Sequence, residues 1–145
     1  MALTDCRVAL APHSALTEIT EKMPHLTRLY WFSTNLDAAI HREWVLSLGR
    51  RSALSRTAHL FCELQARLEL VDMADKSGYA LPLNQTDLAE CLGLTPVHVN
   101  RSLRRLREDG LVTFRGGRVD LHDLDGLKKV AEFDPAYLYL DAHPL

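Results

Sequence analysis

Val97, Asn100, Arg101 and Arg104 recur at the i, i+3, i+4, i+7 spacing that sets residues on one face of a helix. Their chemistry is that of a base-reading ridge. Arg101 or Arg104 can fork onto O6 and N7 of guanine, Asn100 can pair with the edge of adenine, and Val97 can meet a thymine methyl. The spacing leaves open which residue reads which base. Arg115 and Arg118 flank the dipeptide Gly116-Gly117 and can reach phosphate oxygens, contacts that position a protein on a duplex without reading sequence. The competing readings are a basic solvated face on a helical hairpin and a hairpin tip that only packs.

Such a ridge needs elements to hold it, and the flanking residues supply their boundaries. Asn84 is an N-cap for a first short helix that buries Leu88 and Leu92, with Ala89 permitting close approach of a partner. Gly93 suits a left-handed C-cap, and Thr95-Pro96 gives the next helix an N-cap and an N1 proline. That second helix buries Val99, Leu103 and Leu106 behind the ridge. After Gly110, Leu111–Phe114 and Arg118–Leu121 are β-prone runs around a two-glycine turn, the signature of a tight hairpin. The pattern is a helix-turn-helix followed by a β-wing.

The chain has 145 residues, 47% of them hydrophobic, enough for one domain or two small ones with a real core. Its formal net charge of −2 argues against a protein that coats nucleic acid generally. Charge is local instead: from Arg101 to Arg118 six arginines stand against Glu108 and Asp109, a net of +4. Cys6, Cys62 and Cys91 are odd in number and widely spaced, which disfavours a disulfide framework or a CxxC metal site and implies reduced, buried thiols. The seven histidines show no metal-ligand spacing. No nucleophile triad or phosphate-binding glycine loop is recognisable, so no enzyme, metal or cofactor is expected in this chain. There is no signal-peptide pattern and no apolar run of membrane-spanning length, so the expected compartment is the cytoplasm, with no membrane partner.

Upstream, Cys6–Leu10 reads as one short strand, and Ser14 as the N-cap of a small helix through Glu21. Pro24 opens a long helix in which Leu29, Leu36 and Glu43 form one seven-residue series and Phe32, Ala39 and Leu46 another, an a/d dimer seam with one polar interruption. Gly49-Arg50-Arg51 breaks it as a hinge, and Ser52 caps a helix with a stripe of Leu54, Ala58, Phe61, Leu64 and Leu68. Asp72 to Tyr79 is a polar loop, and Tyr79–Leu81 a strand against the wing. Leu124, Leu127 and Val130 mark a closing helix, and Phe133–Leu140 a strap that packs back. The expected fold is mainly α with a small β-wing: a long dimerisation helix followed by a winged helix-turn-helix domain.

Taken together, the Leu48–Ala53 junction, Arg56-Thr-Ala58, Leu83–Ala89, Gly93–Arg101 and Gly110–Val112 resemble the C-terminal two-thirds of a Crp/Fnr-type transcription regulator. The resemblance covers nearly all of the chain. It implies three units: residues 1–23 as a remnant of the sensor β-roll, 24–51 as dimerisation helix and hinge, and 52–145 as the DNA-binding domain. It also implies that most of the effector-binding barrel is absent, either because the start lies downstream of the true one or because this is a naturally short relative. Any effector site would lie in that missing domain. Arg101 matches the family's recognition arginine, and Gln85 and Thr86 fall where members touch phosphate, with Thr95 and His98 assigned to the same role. Val97 and Asn100 depart from the Glu and the Ser or Gly of many members, so their operator does not carry over. The iron–sulfur cysteine cluster of oxygen-sensing members is not in this chain.

The function this implies is sequence-specific transcription regulation by a homodimer on a palindromic, double-stranded operator. RNA polymerase is a further partner, at the Asp72–Tyr79 loop. The alternative is a truncated interaction module that heterodimerises with a full-length regulator and inhibits it. A ligand-binding sensor is a third reading, favoured only where upstream sequence restores the barrel.

Overall fold

The computed structural model describes residues 5–140; the outer ends of the expected first and last units, 1–4 and 141–145, lie outside the described residues. Helix α1 (His13–Lys22) leads through Met23 into α2 (Pro24–Arg50), whose N1 proline fits the first turn because that position needs no donor. Twenty-seven residues at about 1.5 Å each make α2 a rod of roughly 40 Å. Residues 5–12 form no strand: Cys6–Leu10 is exposed and pairs with no strand among the described residues, because the sheet forms elsewhere in the fold. Ser14 does not cap α1; it sits inside the helix, whose N-cap is Pro12. Gly49 is also helical, since one glycine costs only about 1 kcal/mol in a long helix, and the break falls at Arg51 in extended conformation.

Ser52 then caps α3 (Ala53–Glu69), its hydroxyl accepting from the Ser55 amide at 3.2 Å. Helix α3 is the central element, packed against α5 (Pro96–Glu108), α6 (Leu124–Ala131) and the sheet. Its Ala58 and Phe61 are fully buried, with Leu54, Leu64 and Leu68 half-buried around them. Strands β1 (Ala74–Asp75), β2 (Gly78–Ala80), β3 (Val112–Arg115) and β4 (Arg118–Leu121) form an antiparallel sheet in the order β1-β2-β4-β3. β2 lies beside the wing as expected, pairing Tyr79 with Val119. The segment expected as a loop from Asp72 carries β1, because the Asp75 carboxylate closes a tight turn by accepting from Ser77 N at 2.7 Å and Ser77 Oγ at 2.5 Å. Gly78, at φ +133°, admits no side chain, since a Cβ there would drive into the carbonyl of Val119.

The core gathers Phe61, Tyr79, Leu88, Leu92, Val99, Leu106, Val112, Val119 and Leu127. Each large apolar side chain there contributes about 1.5–3 kcal/mol by leaving water. Tyr79 buries its polar end by donating to the Phe61 carbonyl at 3.0 Å. Burial pushes the neighbouring Cys62 thiol up to about 12, so it stays protonated. Cys6 and Cys91, in contrast, are exposed; Cys91 lies one residue off the Leu88–Leu92 stripe. After α6 the chain folds back as a strap with a 3₁₀ turn at Pro135–Leu138, anchored by buried Leu138.

Candidate nucleic-acid interface

The two helices of the reading element are fixed by their ends. Asn84 Oδ1 accepts from the amides of Thr86 (2.8 Å) and Asp87 (3.0 Å). Asp87 returns the bond to the Asn84 amide at 2.9 Å, completing a capping box at the start of α4 (Gln85–Leu92). Gly93 takes the left-handed conformation (φ 60°, ψ 38°), and the Leu94 amide reaches back to the Ala89 carbonyl at 2.9 Å, turning the chain sharply toward α5. Thr95 Oγ1 accepts from the His98 amide at 3.4 Å and lies 3.1 Å from His98 Nδ1. The expected turn is therefore present, with Pro96 at N1 of α5.

On α5, Val99, Ser102 and Leu106 point inward, and Val97, Asn100, Arg101 and Arg104 stand outside on one face. Val97 is 68% exposed although it is apolar, which places a methyl-bearing side chain where a groove floor would be. Asn100 Nδ2 donates to Gln85 Oε1 at 2.9 Å, so Gln85 of α4 joins the ridge and orients the Asn100 amide. Arg104 Nε donates to Glu108 Oε1 at 2.7 Å; that bond raises the arginine's affinity for its proton and holds the Glu108 carboxyl below its usual range. Arg105 is paired likewise with Asp109 at 2.8 Å. Among the described residues Arg101, Arg107 and Arg115 make no salt bridge, which leaves their charge available to an incoming anion.

The wing forms as expected. Gly116 and Gly117 both have positive φ (60° and 73°), the geometry of the hairpin turn that matches strand twist. Arg115 and Arg118 face each other in the register beneath that turn. Their situations differ: Arg115 is exposed, while Arg118 Nε is tied to Asp120 Oδ1 at 2.8 Å and its Nη2 reaches Ser77 Oγ at 3.2 Å. Thr86 is exposed at the start of α4.

Two features of this surface were not expected from the sequence. A groove of about 340 Å³ runs between the N-terminus of α3 (Ser52, Ala53, Leu54) and the α5 residues His98, Arg101, Ser102 and Arg105. It brings a helix N-terminus beside two guanidinium groups, the combination that receives a phosphate. Arg56 donates to the Leu92 carbonyl at 2.8 Å and the Leu48 carbonyl at 3.0 Å, tying the end of α4 to the end of α2. Both join residues far apart in the chain, and local spacing carries no signal for them.

The expected dimer seam is not one open face. Ala39 is buried, Leu36 is half-buried, and Glu43 binds Arg51 of its own chain at 2.7 Å. Phe32 meets the Tyr139 ring of the strap edge-on at 6.0 Å yet stays exposed, as do Leu29 and Leu46. The reason is packing: this side of α2 is the side the chain folds against. A neighbouring ridge, one residue round the helix, presents Trp31 and Val45, each 70% exposed, with half-buried Ala38 between them at seven-residue spacing. No helix among the described residues is long and apolar enough to cross a membrane, and none of their His, Cys, Asp or Glu side chains gather in threes as a metal-holding group.

Residues 55–130 match the family model described as the Crp-like helix-turn-helix domain. Over 132 residues the chain is 33% identical to a probable transcriptional activator of Rhizobium leguminosarum bv. viciae, covering 89% of this chain and 54% of that one. It is 32% identical over 122 residues to the transcriptional activator protein FnrL of Cereibacter sphaeroides, covering 81% and 48% respectively. Among solved structures, FixK2 from Bradyrhizobium japonicum superposes with a TM-score of 0.71 at 27% identity, over 81% of this chain and 57% of that one. The chain thus spans about half the length of the curated relatives it matches.

Proposed function

The chain belongs to the Crp-like helix-turn-helix family, the Crp/Fnr-type transcription regulators, and from that premise we propose that it reads a two-fold-symmetric DNA operator as a homodimer in the cytoplasm. The observation that carries this is the α5 ridge: four side chains with base-reading chemistry, on the outer face of a helix capped at both ends, with Arg101 and Arg107 making no salt bridge among the described residues. Arg101, Asn100 and Val97 read base edges, and Arg104 does so on release from Glu108. Gln85, Thr86, Thr95, His98 and Arg115 bind phosphate, together with Arg105 at the α3 N-terminus. Arg118, already engaged by Asp120 and Ser77, orients the wing more than it contacts DNA.

The dimer forms through the outer ridge of α2, with Trp31, Ala38 and Val45 at one core position and Thr34, His41 and Leu48 at the other. The polar members are partly satisfied within the helix, since Thr34 Oγ1 donates to the Tyr30 carbonyl at 3.0 Å and His41 Nδ1 lies 2.7 Å from the Asp37 carbonyl. RNA polymerase is a partner at the surface formed by the α3–β1 connection, where Leu70, Val71 and Met73 are exposed beside Asp72, and by the β1–β2 turn at Lys76. Selection of bound sequences from a randomised duplex library tests the reading. A palindromic consensus bound with dimer stoichiometry supports it; no sequence preference, or binding only with a second full-length regulator present, overturns it.

A further inference from the structure

The junction between α2 and the reading head is closed by a cluster of buried charge. Arg51, its side chain 6% exposed, reaches Glu43 Oε1 on α2 at 2.7 Å and the carbonyl of Glu132, at the start of the strap, at 3.2 Å. His59 of α3 lies 3.4 Å from the same Glu43 oxygen, with its ring edge-on to Phe133 at 5.3 Å and stacked on Tyr137 at 6.1 Å. Glu63, one turn further along α3, is fully buried. It accepts from the Tyr137 hydroxyl at 2.7 Å, from Trp44 Nε1 on α2 at 3.3 Å and from Arg67 at 3.0 Å. Beyond it, Tyr139 of the strap meets Phe32 of α2. The strap therefore touches both sides of the hinge at Arg51-Ser52.

We propose that the strap, residues 132–139, is a clamp that holds α2 at one angle to the reading head and so sets the separation of the two recognition helices in a dimer. The second half of that statement rests on the dimeric reading above; the first does not. The hinge itself is short and extended, so the chain's own continuity imposes little angle; Arg56 and Trp44 tie the end of α2 to the reading head, and the rings of Phe133, Tyr137 and Tyr139 brace it further from the strap side.

The clamp is also built to open. Nε and Nη1 of Arg51 are buried without a hydrogen-bond partner among the described residues, and buried donors left unmade weigh against the closed state. Both ends of the strap, Glu132 (φ 50°) and Tyr139 (φ 49°), hold left-handed conformations uncommon for residues with a Cβ. Release of the strap would hydrate Arg51 and relax both residues. Two arrangements separated by a modest gap are what a switchable hinge requires.

The test uses the full chain with Cys6→Ser and Cys91→Ser, which removes the exposed thiols, and spin labels on Asn35→Cys of α2 and Glu90→Cys of α4. Labelled chain is diluted into excess unlabelled chain, so that the distance read is within one molecule. The unaltered strap should give one narrow distance distribution, and Tyr137→Phe with Tyr139→Ala should broaden it while circular dichroism stays the same. Should the pair of changes unfold the protein, Tyr139→Ala alone, at an exposed ring, carries the same expectation. A distribution already broad with the strap intact, or one that stays narrow in a folded variant, overturns the clamp. Operators with varied spacing between half-sites give the second readout: the variant should accept a wider range. If no operator is bound at all, the dimeric reading fails, and the distance measurement still decides the clamp.

Discussion

Replacing Arg101 by alanine separates base reading from charge. Arg101 makes no salt bridge among the described residues and is exposed, so its removal breaks nothing that holds the fold. One bidentate arginine–guanine contact discriminates by about 1–3 kcal/mol. A two-fold operator presents that contact twice, so the cost is about 2–6 kcal/mol, roughly 30-fold to 20,000-fold in Kd. Preference at one base pair of each half-site should flatten. Arg115→Ala should act differently, weakening all sequences alike and reducing the slope of log K against log salt by about 0.9 per lost phosphate contact, close to 2 for the dimer. Fluorescence anisotropy over a salt series, with a randomised operator library, measures both. An Arg101→Ala protein that keeps its full base preference, or an Arg115→Ala protein that loses preference at one position, refutes the assignment of the α5 face.

Val45→Glu should give monomers in sedimentation at tens of micromolar, a range suited to moderate affinity, without lowering the melting point of the monomer, since Val45 is 70% exposed. Leu36→Glu should instead destabilise the fold, because Leu36 is half-buried against its own chain; a reversed pattern would restore the Leu29–Leu46 seam. Burial, reinforced by Arg51 and opposed by Glu63 and Glu43, holds the His59 pKa below its ordinary value. The unfolded chain then takes up the proton first, so stability is complete above about pH 6.5 and falls as pH drops below it. Urea midpoints across pH 5–8 should show this slope, and His59→Gln should flatten it. Reversing Asp72 and Lys76 together should lower activated transcription in vitro with DNA affinity unchanged; equal transcription would assign the Asp72–Tyr79 segment a structural role only.

The parts of the fold legible in the sequence are those set by a few adjacent residues. Asn84, Gly93, Thr95-Pro96 and Gly116-Gly117 each fix one boundary by local backbone chemistry, and the reading head forms as those residues require. The buried cluster at the hinge escaped because its members come from Glu43, Arg51, His59, Glu63, Glu132 and Tyr137, which no spacing rule connects. A buried glutamate looks like a surface glutamate until its three donors are in place. The Cys6–Leu10 run shows the converse: its apolar alternation fits a strand, but a strand exists only with a neighbour to accept its hydrogen bonds.

Helix α2 marks where periodicity stops being informative. Positions 32, 39 and 46 and positions 31, 38 and 45 both repeat every seven residues and both carry apolar side chains, one residue and so about 100° apart around the helix. Period alone cannot choose between two such ridges. The rest of the chain bears on the choice: Ala39 is buried, Glu43 is drawn into an ion pair with Arg51 and Phe32 meets Tyr139 of the strap, and on the dimeric reading proposed above the partner takes the other ridge. A helix with two candidate seams is thus weighed by subtraction: if the proposed dimer uses the 31/38/45 ridge, the side occupied by the chain's own hinge links that face to the orientation of the reading head, and the Val45→Glu and Leu36→Glu pair decides between the two.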